Sequence, residues 1–274
     1  MILNGKVVAD KISKEVENKL ESIKEDIYLA VIAIGENSAS KSYIKGIINK
    51  SKKLGVKVEL ITFKKDVKEE KIIKKIKKLN KDNKTKGIML QMPLLKGLDK
   101  EKIINTISVN KDIDGLTDIN LGKIVKDKKD ALVPCTPLAV LKMIDYYEIN
   151  LVGANVCVIG RSNIVGKPLA NLLTNRHATV TLCHSRTKKL KTITKKADII
   201  VVAVGKKHFL TKDMISKDSY IFDVGINVED NKLYGDVDFE NIKDKVKGIT
   251  PVPKGVGAVT NTLLIKNTLK NVKG

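Results

Sequence analysis

The sequence predicts an α/β protein of two domains, the second of which is a Rossmann-type domain with a parallel sheet. Three observations favour this fold class. The chain has 274 residues, more than a single domain usually contains. Apolar runs rich in β-branched residues alternate with segments whose apolar residues recur at helical spacing. One apolar run, residues 154–159, ends at Gly160 and is followed by a segment of helical character, as at dinucleotide-binding turns.

The first half of the chain alternates regularly between predicted helices and strands. Apolar residues recur every four positions from Val8 to Leu20 and indicate the opening helix. Gly35 closes the first strand, and Ser38 or Ser40 can cap the helix after it. The predicted elements are a helix at about 5–24, a strand at 27–34, a helix from 38 or 40 to about 54, a strand at 56–63, a helix at about 67–80, a strand at 87–93 and a short helix at about 99–107. This alternation predicts a parallel-sheet domain.

The second half of the chain predicts a second domain of the same class. Residues 116–135 are loop-like, and a helix at about 138–148 is expected to cross into this domain. Strands are predicted up to Gly160 and near 179, 198 and 219, with helices between them, and a final helix is predicted at about 259–271. Thr250-Pro-Val-Pro253 resembles a return crossing, so the predicted domains are 1–136 with 252–274, and 137–251.

The turn after the run at 154–159 is the strongest local signal. Gly160 lets the chain leave the strand sharply, Gly166 allows close backbone approach, and Pro168 suits the first turn of a helix whose N–H groups can face a pyrophosphate. The spacing is Gly-x-Ser-x-x-x-Gly rather than G-x-G-x-x-G, so a plain strand-to-helix turn is the alternative. A nucleoside-triphosphate loop is disfavoured, because five residues separate Gly160 from Gly166-Lys167 and a proline stands where Ser or Thr should hold magnesium.

The tip of the next predicted strand indicates which dinucleotide binds. Residues 178–183 alternate as a strand and end at His184-Ser185-Arg186. An NAD site usually has Asp or Glu at this tip for the ribose hydroxyl, whereas an NADP site supplies basic and hydroxyl groups for the 2′-phosphate. The acid is absent, and two of the three arginines in the chain, Arg161 and Arg186, flank this point. The sequence therefore predicts NADP, with ordinary surface arginines as the alternative.

The chain is strongly basic, with a net charge of +21 and a pI near 9.7. Such a charge is compatible with nucleic acid or an anionic membrane as a partner. We expect neither, because 49 of the 52 basic residues are lysines spread along amphipathic helices such as 67–79, without aromatic interleaving or a recognition motif. A solvated lysine face explains this pattern and can draw anionic ligands towards a cleft.

The cysteines and the apolar runs bear on the compartment. Cys135, Cys157 and Cys183 have neither metal-ligand nor CxxC spacing, so we expect no metal site and no disulfide framework. The first ten residues lack a signal-peptide pattern, and the longest apolar run, near 197–204, is far too short to span a bilayer. These observations predict a cytoplasmic protein.

Polar residues on the second predicted helix and near two strand ends are candidates for chemistry. One helix face carries residues at steps of three and four, namely Ser40, Tyr43, Ile47 and Lys50. Tyr43 could stack on a flat ligand, or it could be an ordinary half-buried tyrosine. Gln91 is predicted to lie mid-strand, where an amide among apolar neighbours requires partners.

Asp112 and Asp114 alternate about Ile113 and precede Gly115, so one is expected to face inward and the other outward. Both could equally serve as turn or cap residues.

Seven motifs along the chain together resemble those of the bifunctional methylenetetrahydrofolate dehydrogenase/methenyltetrahydrofolate cyclohydrolase family. They are Ala39-Ser40-x-x-Tyr43, Gly87-Ile-Met-Leu-Gln91-Met-Pro93, Lys111-Asp-Ile-Asp114-Gly115, Pro134-Cys-Thr-Pro137, Gly160-Arg-Ser-x-Ile-Val-Gly166-x-Pro168, Asp223-Val-Gly-Ile-Asn227 and Ile249-Thr-Pro-Val-Pro253-x-Gly-Val-Gly257. The resemblance covers essentially the whole chain. It implies a folate-binding domain, an NADP-binding Rossmann domain, a homodimer, tetrahydrofolate one-carbon derivatives as partners and a place in the one-carbon metabolism that serves purine biosynthesis.

The resemblance also implies residue roles. Tyr43 lies against the pterin with Ser40 nearby, Gln91 is the strand glutamine, and the Asp114 carboxylate accepts paired N–H bonds from the amino-pyrimidine edge of the pterin. The folate tail passes the loop that contains Pro253 and Gly255. The cofactor contacts carried over are Gly160, Arg161, Ser162, Ile164, Val165, Gly166, His184, Ser185, Arg186 and Ile226.

The chain departs from the family pattern at one catalytic position. Four residues after the tyrosine the family has a lysine, to which the proton transfers of the cyclohydrolase are credited, and this chain has Ile47. Lys50 lies one turn further along the same face, and Lys45 points elsewhere, so neither is a direct replacement. The Pro-Gly-Gly-Val-Gly-Pro signature is also altered, to Pro253-Lys-Gly-Val-Gly-Ala258.

These changes affect the two expected activities differently. Hydride removal from the methylene carbon chiefly requires positioning, whereas hydrolysis of the methenyl cation requires a group that moves protons. The resemblance therefore implies the dehydrogenase and leaves the cyclohydrolase without its usual ammonium. Two other classes share some features: a two-domain NADP oxidoreductase of a small hydroxy acid, which would need a lysine–aspartate pair, and a basic nucleic-acid-binding protein.

Overall fold

The computed structural model describes residues 1–35, 38–230, 232–270 and 272, and the side chains of 38–40 and 42 lie outside the description. The chain divides into two compact units. We call Met1–Asp10, Ile124–Asp127 and Thr136–Thr260 the Rossmann unit, and Lys11–Lys123, Lys128–Cys135 and Asn261–Gly274 the three-stranded unit. The functional domain boundaries at 136/137 and 251/252 remain a prediction.

The three-stranded unit is built on a parallel sheet. Its strands are β1 (Tyr28–Ile34), β2 (Lys57–Phe63) and β3 (Thr85–Leu90), in the spatial order β2-β1-β3. The helices are α2 (Ser38–Lys53), α3 (Glu69–Lys81) and α4 (Lys100–Asn105). The central residues of β1 are fully buried, as expected of a middle strand, and the apolar stripe of α3 is buried through Ile72, Ile76 and Leu79. Burial of each such side chain stabilises the fold by roughly 1.5–3 kcal/mol.

The Rossmann unit contains a five-stranded parallel sheet in the order β10-β7-β6-β4-β5. The strands of this sheet are β4 (Asn155–Ile159), β5 (Thr179–Cys183), β6 (Ile199–Val202), β7 (Tyr220–Asp223) and β10 (Gly248–Ile249). The helices between them are α7 (Gly166–Thr174), α8 (Leu190–Lys195) and α9 (Phe239–Ile242). The strands β8 (Asn227–Glu229) and β9 (Lys232–Tyr234) form a separate antiparallel hairpin. Because β4 pairs with β5 on one side and β6 on the other, the chain order reverses at β4. In open parallel sheets this reversal marks the ligand crevice.

Four helices cross the boundary between the units in sequence: α1 (Gly5–Glu21), α5 (Asp118–Val125), α6 (Cys135–Tyr146) and α10 (Val256–Thr268). None of the helices in the described ranges is long and apolar enough to cross a membrane. The three cysteines are buried free thiols.

The prediction of a loop at 116–135 is wrong, because this stretch contains α5. The buried Asp112 carboxylate accepts N–H bonds from Leu116 (3.0 Å) and Thr117 (2.8 Å) and an amide bond from Asn120 (2.9 Å), which fixes the chain as the helix begins. Asp112 lies six residues before Asp118, the first residue of α5, whereas a standard N-cap residue directly precedes its helix. The sequence therefore shows no recognisable capping motif at this helix start.

Two smaller predictions are also wrong. Gln91 does not lie mid-strand, because β3 ends at Leu90; the Gln91 N–H still donates to the Ile32 carbonyl (2.8 Å), so the residue is held at the carboxyl edge of the sheet. Between β6 and β7 the chain forms a single 3₁₀ turn, Lys212–Met214, in place of the predicted helix. The segment of residues 203–219 has too few apolar positions at helical spacing to bury a helix face.

Candidate active site

The Gly160 turn is too tight for any residue with a side chain. Gly160 has φ +119°, and its N–H donates to the Cys183 carbonyl (2.9 Å). A Cβ added at Gly160 would lie 2.3 Å from the Ala203 carbonyl oxygen, and one at Gly166 would lie 1.8 Å from the Gly160 carbonyl oxygen. The turn therefore requires both glycines, and it brings α7 against the end of β4, as a dinucleotide fold requires.

Ser162 shapes the residues between the two glycines. Its Oγ accepts a bond from the Val165 N–H (3.1 Å), and its carbonyl accepts one from the Lys167 N–H (3.1 Å). The hydroxyl proton of Ser162 stays available for an acceptor such as a phosphate oxygen. Arg161 and Ser162 are exposed, whereas Ile164 and Val165 are half-buried. These residues form a polar and an apolar part of one turn, and their cofactor contacts remain a prediction.

The tip of β5 is a closed turn without a carboxylate. The His184 N–H donates to Thr187 Oγ1 (2.8 Å), the Thr187 N–H donates to the His184 carbonyl (2.8 Å), and the Arg186 N–H donates to His184 Nδ1 (3.2 Å). Ser185 and Arg186 are exposed on this turn. The third arginine, Arg176, is engaged elsewhere in an ion pair with Asp145. The surface at the tip thus offers hydroxyl and guanidinium donors, as the 2′-phosphate of NADP would need.

Ile226 lies in the segment after β7. Its side chain is 57% exposed. The preceding residue, Gly225, donates its N–H to Asp223 Oδ1 (3.1 Å). Burial raises the pKa of the Asp223 carboxyl to about 7, against the opposing effect of the N–H bonds it accepts.

In the three-stranded unit, α2 carries Tyr43 and Ile47 on one face. Tyr43 is half-buried, and burial together with the nearby Asp114 charge holds the pKa of its phenol well above the ordinary range. The phenol is therefore a neutral hydrogen-bond donor and not a base. Ile47 is completely buried, so the position of the family lysine holds an apolar side chain packed in the core. The Ser40 side chain lies outside the described residues.

Gln91 has one satisfied and one unsatisfied end. Its Nε2 donates to the Met92 carbonyl (2.8 Å), while its Oε1 is buried and has no hydrogen-bond partner among the described residues. A buried acceptor left unpaired costs about 1–3 kcal/mol, so the position favours a donor from a ligand or water.

Asp112 and Asp114 differ in how many hydrogen bonds their oxygens accept. Asp112 is buried and its oxygens are occupied by the donors that begin α5. Asp114 is only partly buried and accepts one N–H bond, from Cys135 (3.2 Å). Burial raises the pKa of the Asp114 carboxyl to about 6, and the Cys135 bond opposes that shift. At neutral pH Asp114 is therefore an ionised acceptor with unused lone pairs.

Asn261 on α10 is a further polar residue of this unit, not identified from the sequence. Its Nδ2 lies 3.0 Å from the point where a Cβ of Gly46 would be, and its Oδ1 is buried without a hydrogen-bond partner in the described chain. Gly46 thus leaves room for an amide directly beside α2, one residue before Ile47. The available signal was the polar run Thr260-Asn-Thr262 within the helical segment 256–268.

Gln91 also lines a cleft of about 610 Å³ at the carboxyl end of the three-stranded sheet. Its walls include the apolar side chains of Ile44 and Leu60, and ammonium groups from Lys41, Lys45, Lys65 and Lys96 border it. A cleft with this lining favours ligands that combine an apolar body with negative charge.

The loop before α10 holds the two residues expected beside a folate tail. Pro253 is exposed and Gly255 is buried. A Cβ at Gly255 would lie 2.3 Å from the Pro251 carbonyl oxygen, so this glycine is needed for the close path of the loop. By its contacts the loop belongs to the Rossmann unit, and its substrate role remains a prediction.

A parallel sheet with a glycine turn at its reversal point, joined to a smaller α/β unit, defines a two-unit dinucleotide-binding protein. Two family models match the chain: "Tetrahydrofolate dehydrogenase/cyclohydrolase, catalytic domain" over residues 3–114 and "Tetrahydrofolate dehydrogenase/cyclohydrolase, NAD(P)-binding domain" over residues 134–274. The chain belongs to the tetrahydrofolate dehydrogenase/cyclohydrolase family.

Relatives resemble the chain over its full length. The bifunctional protein FolD of Clostridium novyi is 45% identical over 275 residues, which cover 99% of both chains. The structure of the bifunctional FolD enzyme from Campylobacter jejuni is 39% identical with a TM-score of 0.95, covering 98% of this chain and 97% of the other. The Trypanosoma brucei methylenetetrahydrofolate dehydrogenase-cyclohydrolase, solved with NADP and an inhibitor, is 30% identical with a TM-score of 0.93, covering 98% and 96%.

Proposed function

We propose that this protein oxidises 5,10-methylenetetrahydrofolate to 5,10-methenyltetrahydrofolate with NADP⁺, in one-carbon metabolism. Membership of the tetrahydrofolate dehydrogenase/cyclohydrolase family over nearly the whole chain is the observation that carries this proposal. The hydroxy-acid oxidoreductase and the nucleic-acid-binding protein considered from the sequence are not favoured by that membership.

The Rossmann unit fits NADP⁺, which supplies the hydride acceptor when bound. Gly160 and Gly166 allow close backbone approach, and the β5 tip presents Ser185 and Arg186 without a carboxylate that would repel a 2′-phosphate. Arg161 and Ser162 provide further donors on the preceding turn. The relative from Trypanosoma brucei is complexed with NADP, which supports the same choice here.

The three-stranded unit fits the pterin. The ionised Asp114 carboxylate can accept two N–H bonds from an amino-pyrimidine edge, and the unpaired Gln91 Oε1 can accept another donor. Tyr43 offers an aromatic face and a neutral O–H. Hydride loss leaves a cation that N5 and N10 of the folate stabilise, so the dehydrogenase step chiefly needs these positioning contacts and no protein base.

The hydrolysis of methenyltetrahydrofolate makes a different demand on this site. Water must lose a proton as it attacks, and the departing nitrogen must gain one, work that a general acid/base accelerates by roughly 10² to 10⁴. The buried Ile47 side chain cannot transfer protons. We propose that the chain is chiefly a dehydrogenase and that its cyclohydrolase step is slow compared with that of relatives that have the lysine.

We extend the proposal to the family's assembly and setting: a cytoplasmic homodimer whose one-carbon products serve purine biosynthesis. Analytical ultracentrifugation at micromolar protein would test the dimer, with a sedimenting mass near twice the chain's 30.2 kDa as the expected result. A monomer at all concentrations would contradict this part.

The decisive experiment follows two products in one reaction. Purified protein is mixed with methylenetetrahydrofolate and NADP⁺, and NADPH and methenyltetrahydrofolate are measured separately by absorbance. We expect NADPH to form and methenyltetrahydrofolate to accumulate in equal amount. NADPH formation without accumulation would show an active cyclohydrolase, and no NADPH formation would overturn the proposed function. Asp114→Asn serves as a site control in the same assay.

A further inference from the structure

Asp236 is a fully buried carboxylate that no part of the proposed chemistry uses. It follows the β8–β9 hairpin, and its oxygens accept four hydrogen bonds. Three come from consecutive backbone N–H groups after β6, those of Val204 (2.7 Å), Gly205 (2.9 Å) and Lys206 (2.8 Å). The fourth comes from Asn227 Nδ2 (3.0 Å), in the segment after β7. One side chain therefore ties together the segments that follow two neighbouring strands.

A second carboxylate holds Asp236 in place. The oxygens of Asp223 accept N–H bonds from Gly225 (3.1 Å), Asp236 (2.9 Å) and Val237 (2.9 Å). The Asp223 N–H itself donates to Thr250 Oγ1 (2.7 Å). Asp223 thus fixes the backbone that carries Asp236, and Asp236 fixes the segments beyond.

Two glycines leave room for these carboxylates. A Cβ added at Gly225 would lie 2.0 Å from the Asp236 carboxyl carbon, and one at Gly235 would lie 1.8 Å from Asp223 Oδ2. Any side chain at either position would displace a carboxylate. The close packing confines both carboxylates to their present positions, so Asp236 cannot shift without moving the segments bonded to it.

The segments held by Asp236 lie at the carboxyl edge of the sheet, beside the reversal point. β6 is the neighbour of β4 on the side away from β5, and the carbonyl of Ala203 packs against Gly160. In a dinucleotide fold the adenosine half lies over the first βαβ, here β4 and β5, and the other half lies over the strands beyond the reversal point. Those strands are β6 and β7, whose following segments contain Gly205 and the exposed Ile226.

We infer that Asp236 is a positioning residue for the nicotinamide half of the cofactor site. By accepting bonds from residues 204–206 and Asn227, it sets the two segments that border the nicotinamide, while the adenosine half depends on the separate β5 tip. Asp236 is buried, so it acts through these segments and does not touch the cofactor. The inference rests on the proposed use of NADP⁺.

The test separates the two halves of the cofactor. Asp236→Asn keeps the side-chain volume but replaces one acceptor oxygen with a donor that faces backbone N–H groups. We expect its Kd for NADP⁺ to rise about tenfold or more, because the two segments that border the nicotinamide are no longer held in the binding position. Its Kd for adenosine 2′,5′-bisphosphate, which lacks the nicotinamide, is expected to stay within a factor of two of wild type. Both constants are measured by calorimetry at one salt concentration.

A matched control comes from the opposite edge of the same sheet. The Asp198 carboxylate accepts the Asn155 N–H (2.8 Å) before β6 and β4 begin, so Asp198→Asn also loses a carboxylate–backbone bond. We expect it to change neither dissociation constant. If Asp236→Asn does not fold, Asn227→Ala removes only one of the four donors and should give a smaller effect of the same kind.

The outcomes are distinct. Equal weakening of both ligands, or of neither, in Asp236→Asn or in its substitute Asn227→Ala would overturn the positioning role. Wild-type protein that binds neither ligand would contradict the proposed function instead.

Discussion

The two units each contain a pair of aspartates, and the pairs are used differently. In the Rossmann unit both Asp223 and Asp236 are buried and accept several hydrogen bonds from their own chain. In the three-stranded unit Asp112 is occupied in the same way, but Asp114 accepts a single N–H bond and is partly exposed. Acceptors that are already filled hold loops, and an acceptor left open can bind a ligand. We therefore propose that unused acceptor capacity, more than charge or burial, distinguishes Asp114 as a site residue from the three structural carboxylates.

The largest effect should come from the open carboxylate. Asp114→Asn removes a charged acceptor for two N–H bonds, each worth roughly 1.5–3 kcal/mol, and we expect kcat/KM for methylenetetrahydrofolate to fall about 10²- to 10⁴-fold. Affinity for NADP⁺ should remain near that of wild type. Steady-state assays and calorimetry measure the two quantities.

Asp112→Asn is the matched control. Because the Asp112 oxygens are filled by Leu116, Thr117 and Asn120, this variant should lower the melting temperature and affect kcat/KM much less. The comparison between the pairs would fail if Asp112→Asn lost as much activity as Asp114→Asn while remaining folded.

The next largest effect concerns Ile47. At this position the family pattern has a lysine, so the face of α2 that carries Tyr43 lacks the usual ammonium group. Ile47→Lys should raise methenyltetrahydrofolate hydrolysis by up to about 10²-fold, the lower end of what a general acid/base provides, and should change the dehydrogenase less. The buried Asn261 Oδ1, whose side chain lies beside Gly46, is unpaired in the described chain and offers a partner for a new ammonium. Without a partner the lysine would be neutral or would destabilise the fold.

Lys50 is the rival donor on the same face of α2. If the Lys50 ammonium can exchange protons with the water that attacks methenyltetrahydrofolate, wild-type protein will already catalyse this hydrolysis. Lys50→Met will then abolish that activity. Substantial wild-type hydrolysis that survives Lys50→Met would contradict both accounts of the site. Hydrolysis is measured as loss of methenyltetrahydrofolate absorbance, corrected for the uncatalysed rate.

A smaller effect is expected at the β5 tip. Arg186→Ala and Arg161→Ala should each raise the Kd for NADP⁺ about tenfold and leave the Kd for NAD⁺ nearly unchanged, because a guanidinium–phosphate contact is worth roughly 1.5–3 kcal/mol. Arg176→Ala is the control, since Arg176 is paired with Asp145. Equal affinities of the wild type for NADP⁺ and NAD⁺ would contradict the predicted cofactor preference.

Local signals made much of the fold predictable from the sequence. The Gly160 turn and the absence of an acid at 184–186 need only neighbouring residues. The apolar periodicity identified β1 to β7, but not the short edge strand β10 or the β8–β9 hairpin. The family resemblance is confirmed by the matching family models. Which of Asp112 and Asp114 is open could not be derived from their alternation alone, because it depends on donors supplied by residues 116–120 and Cys135.

The features that the sequence analysis missed depend on contacts between distant residues. Asn261 meets Gly46 across more than 200 positions of the chain, and Asp236 collects donors from segments about 10 and 30 residues away. Neither contact leaves a periodic or spaced motif. Helix α5 was missed for a related reason, because its start is fixed by a carboxylate outside any standard cap position.

The smallest effect is the dependence of stability on pH, and it sharpens the contrast between the two pairs. Burial raises the pKa of Asp223 to about 7 and that of Asp114 to about 6, above the value of 3.8 for an exposed aspartate. For a carboxyl with a raised folded pKa, the stabilisation from protonation is full below the unfolded pKa and is lost as pH rises through the folded pKa. Both residues should therefore favour the folded state more at pH 5 than at pH 8.

Melting temperatures of wild type and variants at pH 5 and pH 8 test this expectation. Protonation of other groups and the growing positive charge affect wild type and variants alike, so the informative quantity is the difference between them. Asp223→Asn should lose more of the stabilisation at pH 5 than Asp114→Asn, because its folded pKa lies further from the unfolded value. A larger loss in Asp114→Asn would mean that the open carboxylate, and not the filled one, experiences the stronger desolvation. The distinction between carboxylates that fix loops and a carboxylate that binds a ligand would then need another physical basis.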